Sequence, residues 1–189
     1  DVPLGEIATE VVRDFVPRAL DKRIDLGYEG PQRGLGPAGR SLLRGNPLLV
    51  KELVRNLVDN ALLYTPEGGT VTVRVLHDPF GQVVVLQVED SGPGIPSHER
   101  ELVFQPFYRA LGTEVDGSGL GLAIVREIAQ QHEADVSIED VRAAPADARG
   151  TRFTVRFPVA RETADTPSPD PGETRPWENT GGQKRTVVL

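Results

Sequence analysis

The strongest periodic pattern of apolar residues lies in the segment GNPLLVKELVRNLVDNALLYTPEGG, residues 45–69. Leucine, valine and alanine recur there every three or four positions, which predicts an amphipathic helix with a broad apolar face. Asn46 is a favourable N-cap, and Pro47 suits the first helical position. The closing sequence Pro-Glu-Gly-Gly predicts the end of the helix, because proline and glycine interrupt helical geometry.

Weaker patterns predict the other elements of the chain. Helical spacing is found in residues 6–21, where Pro17 is expected to shorten or kink the helix, and again in residues 118–132. Alternating or continuous apolar runs predict strands over residues 22–30, 70–76, 81–90, 135–140 and 150–159. We expect the second and third of these strands to form a hairpin, and the last two to pair with each other.

Length and composition predict one globular domain followed by a tail. The chain has 189 residues, of which 38% are apolar, and this suffices for a single core. After about residue 161 the sequence RETADTPSPDPGETRPWENTGGQKRTVVL is rich in proline, glycine and polar residues. Such a segment cannot bury enough apolar surface to offset its chain entropy. We therefore expect a folded domain over residues 1–160 and a disordered tail over residues 161–189.

Charge and cysteine content exclude several classes of function. The formal net charge is −7 and no basic stripe is visible, which argues against nucleic-acid binding. A chain without cysteine has no disulfide and no thiolate metal site, and it fits a reducing compartment. No apolar run approaches the ~20 residues of a membrane helix, and no signal peptide is visible. We expect a soluble fragment without direct membrane contact.

The helix predicted within residues 45–69 also carries a polar stripe. Glu52, Asn56 and Asn60 recur every four residues, so they lie on one face. Asparagine is a poor helix former, and its amide gains nothing in a helix interior unless it has a partner. The stripe therefore predicts either a solvated face or a binding site. Amide oxygens suit Mg²⁺, which usually takes one or two protein oxygens together with phosphates and water.

The segment VEDSGPGIP, residues 88–96, places a carboxylate and two glycines directly after an apolar strand. We expect residues 83–88 to be buried and to fix Asp90 at the strand end. A carboxylate only accepts hydrogen bonds, so Asp90 would take a donor such as the exocyclic amine of a purine. Gly92 and Gly94 would let the backbone approach a flat ligand. The other interpretation is a strand that ends in a glycine turn.

A second glycine-rich segment, DGSGLGLAIVREI, begins the helix predicted over residues 118–132. Unpaired N–H groups at a helix start bind anions, and glycine lets phosphate come close, although the chain has no P-loop sequence. Residues 110–118 are small and polar, which predicts a mobile lid, and Phe104 and Phe107 are expected to anchor its near end in the core. Arg109 is either a phosphate clamp or a surface arginine.

In their order along the chain, these motifs resemble those of the catalytic and ATP-binding domain of bacterial sensor histidine kinases. NLVDNALLYTP resembles the N box, DSGPGI the first glycine box, FQPFYR the F box, GSGLGLAIV the second glycine box and GTRFTVRFP the terminal strand. The resemblance covers residues 1–160. It implies the Bergerat fold of the GHKL superfamily, an α/β (α+β) two-layer sandwich. In that fold about three helices cover one face of a mixed, mostly antiparallel sheet.

The resemblance also implies a role for each motif residue. Asn60 would hold the Mg²⁺ that bridges the ATP phosphates, with Asn56 or Glu52 as further candidate ligands. Asp90 would accept from the adenine amino group, while Asn56 and Arg109 would take part in catalysis. The other ATP-binding candidates are Tyr64 and Phe107 beside the nucleotide, Gly92, Gly94, Ile95 and Thr151 around the base, and Gly117, Ser118, Gly119, Leu120 and Gly121 around the phosphates.

The implied function is donation of the ATP γ-phosphoryl group to a histidine on a separate helical dimerisation domain, with a response regulator downstream. Asn56 stands where gyrase-like relatives carry a glutamate that activates water, and an amide cannot act as that base. No stretch resembles a phosphoacceptor box, so we expect a fragment that binds ATP but lacks its own acceptor. The implied location is the cytoplasmic part of an inner-membrane sensor.

Two other hypotheses share the same fold, namely a protein serine kinase of the anti-sigma type and a non-catalytic ATP sensor. The sequence also departs from the family pattern in places. Leu63 stands where many relatives carry lysine or arginine, so one phosphate contact would be missing. HEAD, residues 132–135, replaces a common His-Gly-Gly ending, so Glu133 or Ala134 must end the helix without a glycine cap.

Overall fold

The computed structural model describes residues 1–30, 42–77, 82–109, 118–141 and 149–159, so the predicted tail and the hairpin turn at residues 78–81 lie outside it. Within these ranges the chain forms three helices, α1 (Leu4–Asp21), α2 (Pro47–Tyr64) and α3 (Gly121–Gln131). The strands are β1 (Val2–Pro3), β2 (Asp25–Glu29), β3 (Leu42–Leu43), β4 (Thr70–His77), β5 (Val83–Asp90), β6 (Asp135–Asp140) and β7 (Thr151–Pro158). A short 3-10 turn spans Leu102–Phe104.

The core lies between the helices and one face of a five-stranded sheet. Among the described strands the order is β2-β4-β5-β7-β6, with β2 parallel to β4 and the other neighbours antiparallel, while β1 and β3 form a separate pair. Alternate residues of the central strands, such as Val84, Leu86 and Val88, are buried, and each helix contacts this sheet. The predicted two-layer sandwich and both predicted strand pairs are confirmed.

One local expectation is wrong, and the shortening expected at Pro17 does not occur. Strand β5 is not buried throughout, because Val83 and Val85 point to the face that no helix covers and remain half-buried. Helix α1 is not shortened at Pro17, since it continues to Asp21. A proline removes one backbone donor, and the burial of Phe15 and Ala19 on either side holds the helix against the core.

The start of α2 follows the predicted capping pattern. The side-chain oxygen of Asn46 accepts a hydrogen bond of 2.9 Å from the backbone N–H of Leu48, and Pro47 is the first helical residue. Buried His132, just after α3, ties the two helices together, because its Nε2 accepts from the backbone N–H of Asn46 at 3.1 Å. Its Nδ1 lies 2.7 Å from the carbonyl of Ile128 and therefore carries the proton.

A ladder of charged side chains fixes α1 beside α2. The ion pairs join Glu10 to Lys51 at 2.7 Å, Asp14 to Arg55 at 3.2 Å, and Arg18 to Asp59. Each pair has the same separation of 41 residues, so the two helices run in the same direction and in register. The ladder ends at Lys22, whose ammonium donates to the carbonyls of Leu62 (2.7 Å), Leu63 (3.0 Å) and Thr65 (3.0 Å). Lys22 therefore takes the place of a glycine cap at the end of α2.

We expect Lys22→Met to lower the free energy of unfolding by about 2 kcal/mol, because the last carbonyls of α2 lose a charged donor. Partial burial of the ammonium and, secondarily, the charge of Arg18 lower the pKa of Lys22. Urea denaturation measures the change. The matched variant Lys51→Met removes only an exposed ion pair and should cost less than about 1 kcal/mol. Equal costs at the two positions would contradict the capping role.

Helix α3 ends on a residue with left-handed backbone. Glu133 has a φ of 52° and its N–H bonds the carbonyl of Gln130 at 3.1 Å, while the N–H of Ala134 bonds that of Ala129 at 2.9 Å. This is a Schellman ending, in which glycine is the favoured residue at the left-handed position.

We expect Glu133→Gly to raise the free energy of unfolding by about 0.5–1 kcal/mol, because glycine adopts the left-handed backbone without strain. The same change at Glu127, inside the helix, should lower it, and thermal denaturation of both variants checks the opposite signs.

Candidate functional site

A cavity of about 300 Å³ lies where α2, the end of β5 and the start of α3 converge. One wall is the polar side of α2, and the opposite wall is the segment that follows β5. The register of the sheet brings Asp90, the last residue of β5, directly opposite Thr151, the first residue of β7. The sequence order of the motifs gives no such proximity, so the sheet register is what assembles this end of the cavity.

The α2 wall carries both predicted asparagines. Asn56 and Asn60 line the cavity, whereas Glu52 is exposed and lies outside it. The amide nitrogen of Asn56 donates to the carbonyl of Glu52 at 2.8 Å, so its Oδ1 is left for other partners. A Cβ placed on Gly121 would lie 3.1 Å from that oxygen, so Asn56 Oδ1 faces the start of α3. The predicted stripe is therefore divided, and only its two amides belong to the cavity.

Asp90 provides the buried carboxylate of the site. It is 6% exposed, and its Oδ1 accepts from the backbone N–H of Gly92 at 2.8 Å and of Thr151 at 3.3 Å. Burial raises the pKa of Asp90 to about 6, although hydrogen bonds from Gly92 and Thr151 oppose the shift. The group is thus ionised at neutral pH and can accept a hydrogen bond from a ligand. Thr151 also lines the cavity.

The two glycines after Asp90, Gly92 and Gly94, have different structural roles. Gly94, with a φ of 79°, and Ile95 line the cavity, as predicted for a base pocket. Gly92 is buried beneath it, where a Cβ would lie 2.8 Å from Asp90 Oδ1 and 3.0 Å from the carbonyl of Tyr64. Because Gly92 has no Cβ, its backbone can lie close enough to Asp90 to hold the carboxylate. Gly92 itself does not line the cavity. Tyr64 itself lines the cavity from α2.

The start of α3 forms the other end of the cavity. Ser118, Gly119, Leu120 and Gly121 line it. The predicted phosphate residue Gly117 lies outside the described residues, as do residues 110–117 of the lid predicted over 110–118. The helix has no side-chain cap at Leu120 and no acidic residue in its first turn. Its first backbone N–H groups have no intrahelical partner, and the helix dipole favours an anion there. Arg109 also lines the cavity.

Phe107 does not occupy its predicted place. Phe104 is 7% exposed and packs edge-to-face on Phe153, but the side chain of Phe107 is 73% exposed and lies outside the cavity lining. The backbone of Phe107, with a φ of 64°, bonds the carbonyl of Gly119 at 2.9 Å. A Cβ on Gly119 would lie 2.9 Å from the Cα of Phe107. The backbone of this phenylalanine therefore braces the glycine loop, and its ring points away from the core.

Several lining residues were missed from the sequence. They are Asp59, Leu63, Pro93, Pro96, Glu99, Val103, Tyr108, Leu122 and Ile124. Asp59 was within reach of sequence reasoning, because it lies three residues after Asn56 on the same helix face. The apolar members carry no signal that separates a cavity wall from a core.

The described part of the chain limits what the site can hold. It contains no group of three histidine, aspartate or glutamate side chains arranged for a metal ion. The amide oxygens of Asn56 and Asn60 line the cavity, and such oxygens, together with those of a ligand, are a donor set that Mg²⁺ accepts. In a separate respect, none of the described helices combines the length and apolar character needed to cross a bilayer.

Comparison with known proteins gives consistent matches. The profile of the family described as histidine kinase-, DNA gyrase B-, and HSP90-like ATPase matches residues 45–161. The chain is 34% identical over 175 residues to the sensor protein kinase PmrB of Pseudomonas aeruginosa, an alignment covering 90% of this chain and 34% of PmrB. The chain thus spans about a third to two fifths of the length of the first curated relatives it matches.

Solved structures similar to this chain are also histidine kinases. The mycobacterial sensor histidine kinase MprB is 31% identical, with a TM-score of 0.64 over 79% of this chain and 93% of that one. The catalytic domain of the histidine kinase ThkA is 26% identical, with a TM-score of 0.68 over 83% and 95%. ThkA has also been solved in complex with the response regulator TrrA, at 26% identity and a TM-score of 0.62 over 81% and 39%. The chain therefore belongs to the histidine kinase-, DNA gyrase B- and HSP90-like ATPase family, and within it is similar to the ATP-binding catalytic domains of sensor histidine kinases.

Proposed function

We propose that this domain binds ATP with Mg²⁺ and donates the γ-phosphoryl group to a histidine on a helical dimerisation domain of the same kinase. The observation that carries the proposal is that one cavity contains two chemically different groups, one that accepts hydrogen bonds and one that favours anions. A buried, ionised carboxylate lies at one end, and a helix start without a cap lies at the other. ATP has the matching ends, namely an amino group on the base and a charged triphosphate.

Asp90 is the proposed partner of the adenine amino group. Its Oδ1 is held by backbone donors, so the carboxylate keeps a fixed position. The apolar side chain of Ile95 supplies lining for a flat base. A purine that lacks the amino group would leave the buried carboxylate unpaired, which costs about 1–3 kcal/mol.

Asn60, with Asn56 beside it, is the proposed magnesium ligand. Asn56 Oδ1 is free of its own helix and faces the helix start where the phosphates would lie, so the donors present fit a hard cation shared with phosphate. When bound, Mg²⁺ supplies charge neutralisation for the phosphate oxygens. Glu52 is withdrawn as a ligand, because it lies outside the cavity.

The remaining residues position the triphosphate. The first N–H groups of α3 and the guanidinium of Arg109 supply fixed positive charge where negative charge spreads during phosphoryl transfer. Asn56 cannot accept a proton from water, and Asp59, a carboxylate of α2 that lines the cavity, is paired with Arg18. This arrangement favours transfer to an external nucleophile over hydrolysis.

The partners follow from the proposed reaction. The histidine lies on a helical dimerisation domain, and the phosphoryl group passes on to a response regulator, a partner with which the relative ThkA has been solved. We place the domain on the cytoplasmic side of an inner-membrane sensor. The serine-kinase and ATP-sensor hypotheses are not favoured, because the curated relatives are sensor kinases.

Transfer in trans tests the proposal. The chain is mixed with γ-labelled ATP, Mg²⁺ and the histidine-bearing helical domain of its own kinase, supplied as a separate polypeptide. We expect label on the helical domain that is lost in acid and retained in base, as a phosphohistidine is, and no label when the histidine is replaced by glutamine. Label that resists acid would point to serine and would overturn the proposed reaction.

A further inference from the structure

Arg100 lies outside the cavity lining, yet its side chain holds a residue of the cavity wall. The guanidinium is 25% exposed and donates in three directions. Nε bonds the carbonyl of Ile95 at 3.1 Å, Nη2 bonds Oδ1 of Asp140 at 2.7 Å, and Nη1 bonds the carbonyl of Ile138 at 3.4 Å. This Arg100 bridge joins the segment that follows β5 to the end of β6, 40 residues later in the chain.

The near end of the Arg100 bridge lies on a stretch with little regular structure. Residues 91–96 form neither helix nor strand and include two glycines, which leave a backbone more freedom than other residues do. The carbonyl of Gly92 accepts from the backbone N–H of Gly150 at 3.0 Å, which ties the beginning of the stretch. The bond from Arg100 ties the stretch again at Ile95, the residue whose side chain lines the cavity.

The far end of the Arg100 bridge lies on the sheet, close to the buried carboxylate of the site. Asp140 is opposite Thr151 in the register of β6 and β7, and Thr151 is opposite Asp90 in that of β7 and β5. A Cβ on Gly94 would lie 3.8 Å from Asp140 Oδ1, so the end of β6 is directly behind the stretch. A planar guanidinium holds its partners in fixed directions. The wall at Ile95 is therefore fixed relative to Asp90.

We propose that Arg100 is a positioning residue for the nucleotide base, which holds the Ile95 wall in place before ATP binds and does not touch ATP itself. This inference rests on the proposed ATP site, in which Ile95 lines the base pocket. A wall that is ordered in advance spares the ligand the cost of ordering it. Among the described residues, the bonds of Arg100 reach neither α2 nor the start of α3, where the phosphates are proposed to lie. Loss of Arg100 should therefore weaken ATP binding and leave the rate at saturating ATP nearly unchanged.

Titration calorimetry of the chain with ATP and Mg²⁺, followed by transfer kinetics in trans, tests this role. Arg100→Met removes all three donors and should weaken ATP binding by about 10-fold. It should raise KM for ATP by a similar factor and keep kcat within about 2-fold of the parent. Arg100→Lys should also bind ATP several-fold more weakly, because an ammonium does not reproduce the planar fork. The control Arg156→Met also loses a bond to β6, to Ser137 at 3.1 Å, but Arg156 is exposed and outside the cavity lining, so this variant should bind ATP as the parent does.

The outcomes separate the role of Arg100 from the ATP site. If the parent binds no ATP, the proposed site fails and the role fails with it. If ATP binds without transfer, the proposed reaction fails and the calorimetric affinities alone decide the role. Equal affinities in the parent and Arg100→Met would overturn only the role. A fall in kcat with KM unchanged, or an equal loss of affinity in Arg156→Met, would also overturn it, because neither is an effect on the base wall.

Thermal unfolding without nucleotide confirms that each variant is folded. Should Arg100→Met not fold, Arg100→Lys decides. Binding that is several-fold weaker than in the parent then supports the role, and an unchanged affinity overturns it.

Discussion

Asn60→Ala is expected to lower the rate of phosphoryl transfer by about 100-fold or more, because the proposed metal ligand is lost and phosphate charge is no longer neutralised. Stability should change little, since Asn60 is only half-buried at the cavity wall and alanine is the better helix former. Initial rates of label transfer to the histidine-bearing domain, measured alongside urea denaturation, separate the two effects.

Glu52→Ala is the matched control for this variant. Glu52 lies two turns earlier on the same stripe of α2, but it is exposed and outside the cavity. Its replacement should leave the transfer rate within about 2-fold of the parent, as for a surface position. A large loss of transfer rate in Glu52→Ala, or no loss in Asn60→Ala, would contradict the account in which Asn60 belongs to the site and Glu52 does not.

Asp90→Asn is expected to weaken ATP binding by about 10-fold to 100-fold, because an amide accepts the adenine amino group less strongly than a carboxylate does. The triphosphate of purine riboside, which lacks the amino group, provides the control ligand. The parent should bind the purine riboside triphosphate more weakly than ATP, and Asp90→Asn should bind the two nucleotides with similar affinity. Competition calorimetry gives the ratio of the two affinities for each protein. A variant that still prefers ATP to the same degree would remove Asp90 from base recognition.

The same substitution should stabilise the domain without nucleotide, with a defined dependence on pH. The pKa of Asp90 is about 6 in the folded protein against an ordinary value of 3.8, so the folded state holds this proton more tightly. Stability is therefore lost as the pH rises from about 4 to about 6 and the buried carboxylate ionises. Asparagine does not titrate, so the variant should match the parent near pH 4. It should exceed the parent by about 1–2 kcal/mol above pH 7 in urea denaturation. A gap of equal size at both pH values would contradict the buried-charge account.

Local signals were sufficient for the elements that frame the cavity. The asparagine cap, the proline at the first position and the apolar period of α2 depend on neighbouring residues, and the structure confirms each of them. Asp90 was also accessible, because a strand followed by glycines fixes where its last side chain lies. What the sequence lacked was the pairing of Asp90 with Thr151, which depends on register between strands far apart in the chain.

The errors and omissions have tertiary causes. The sequence predicts that Phe107 is a core aromatic residue, but its left-handed backbone and its contact with Gly119 turn the ring outward. Glu99 looks like one more surface carboxylate in the sequence, and only the fold places it at the cavity. The ladder from α1 to α2 is equally invisible, because it requires two helices to lie in register.

The most direct test of the ATP site is calorimetric titration of the chain with ATP in the presence and absence of Mg²⁺, with Asp90→Asn and Asn60→Ala beside the parent. The two ends of the cavity should make separate contributions. We predict that the parent binds ATP more tightly with Mg²⁺, that Asp90→Asn weakens binding under both conditions, and that Asn60→Ala removes most of the magnesium dependence. Affinities equal to those of the parent in both variants would contradict the account.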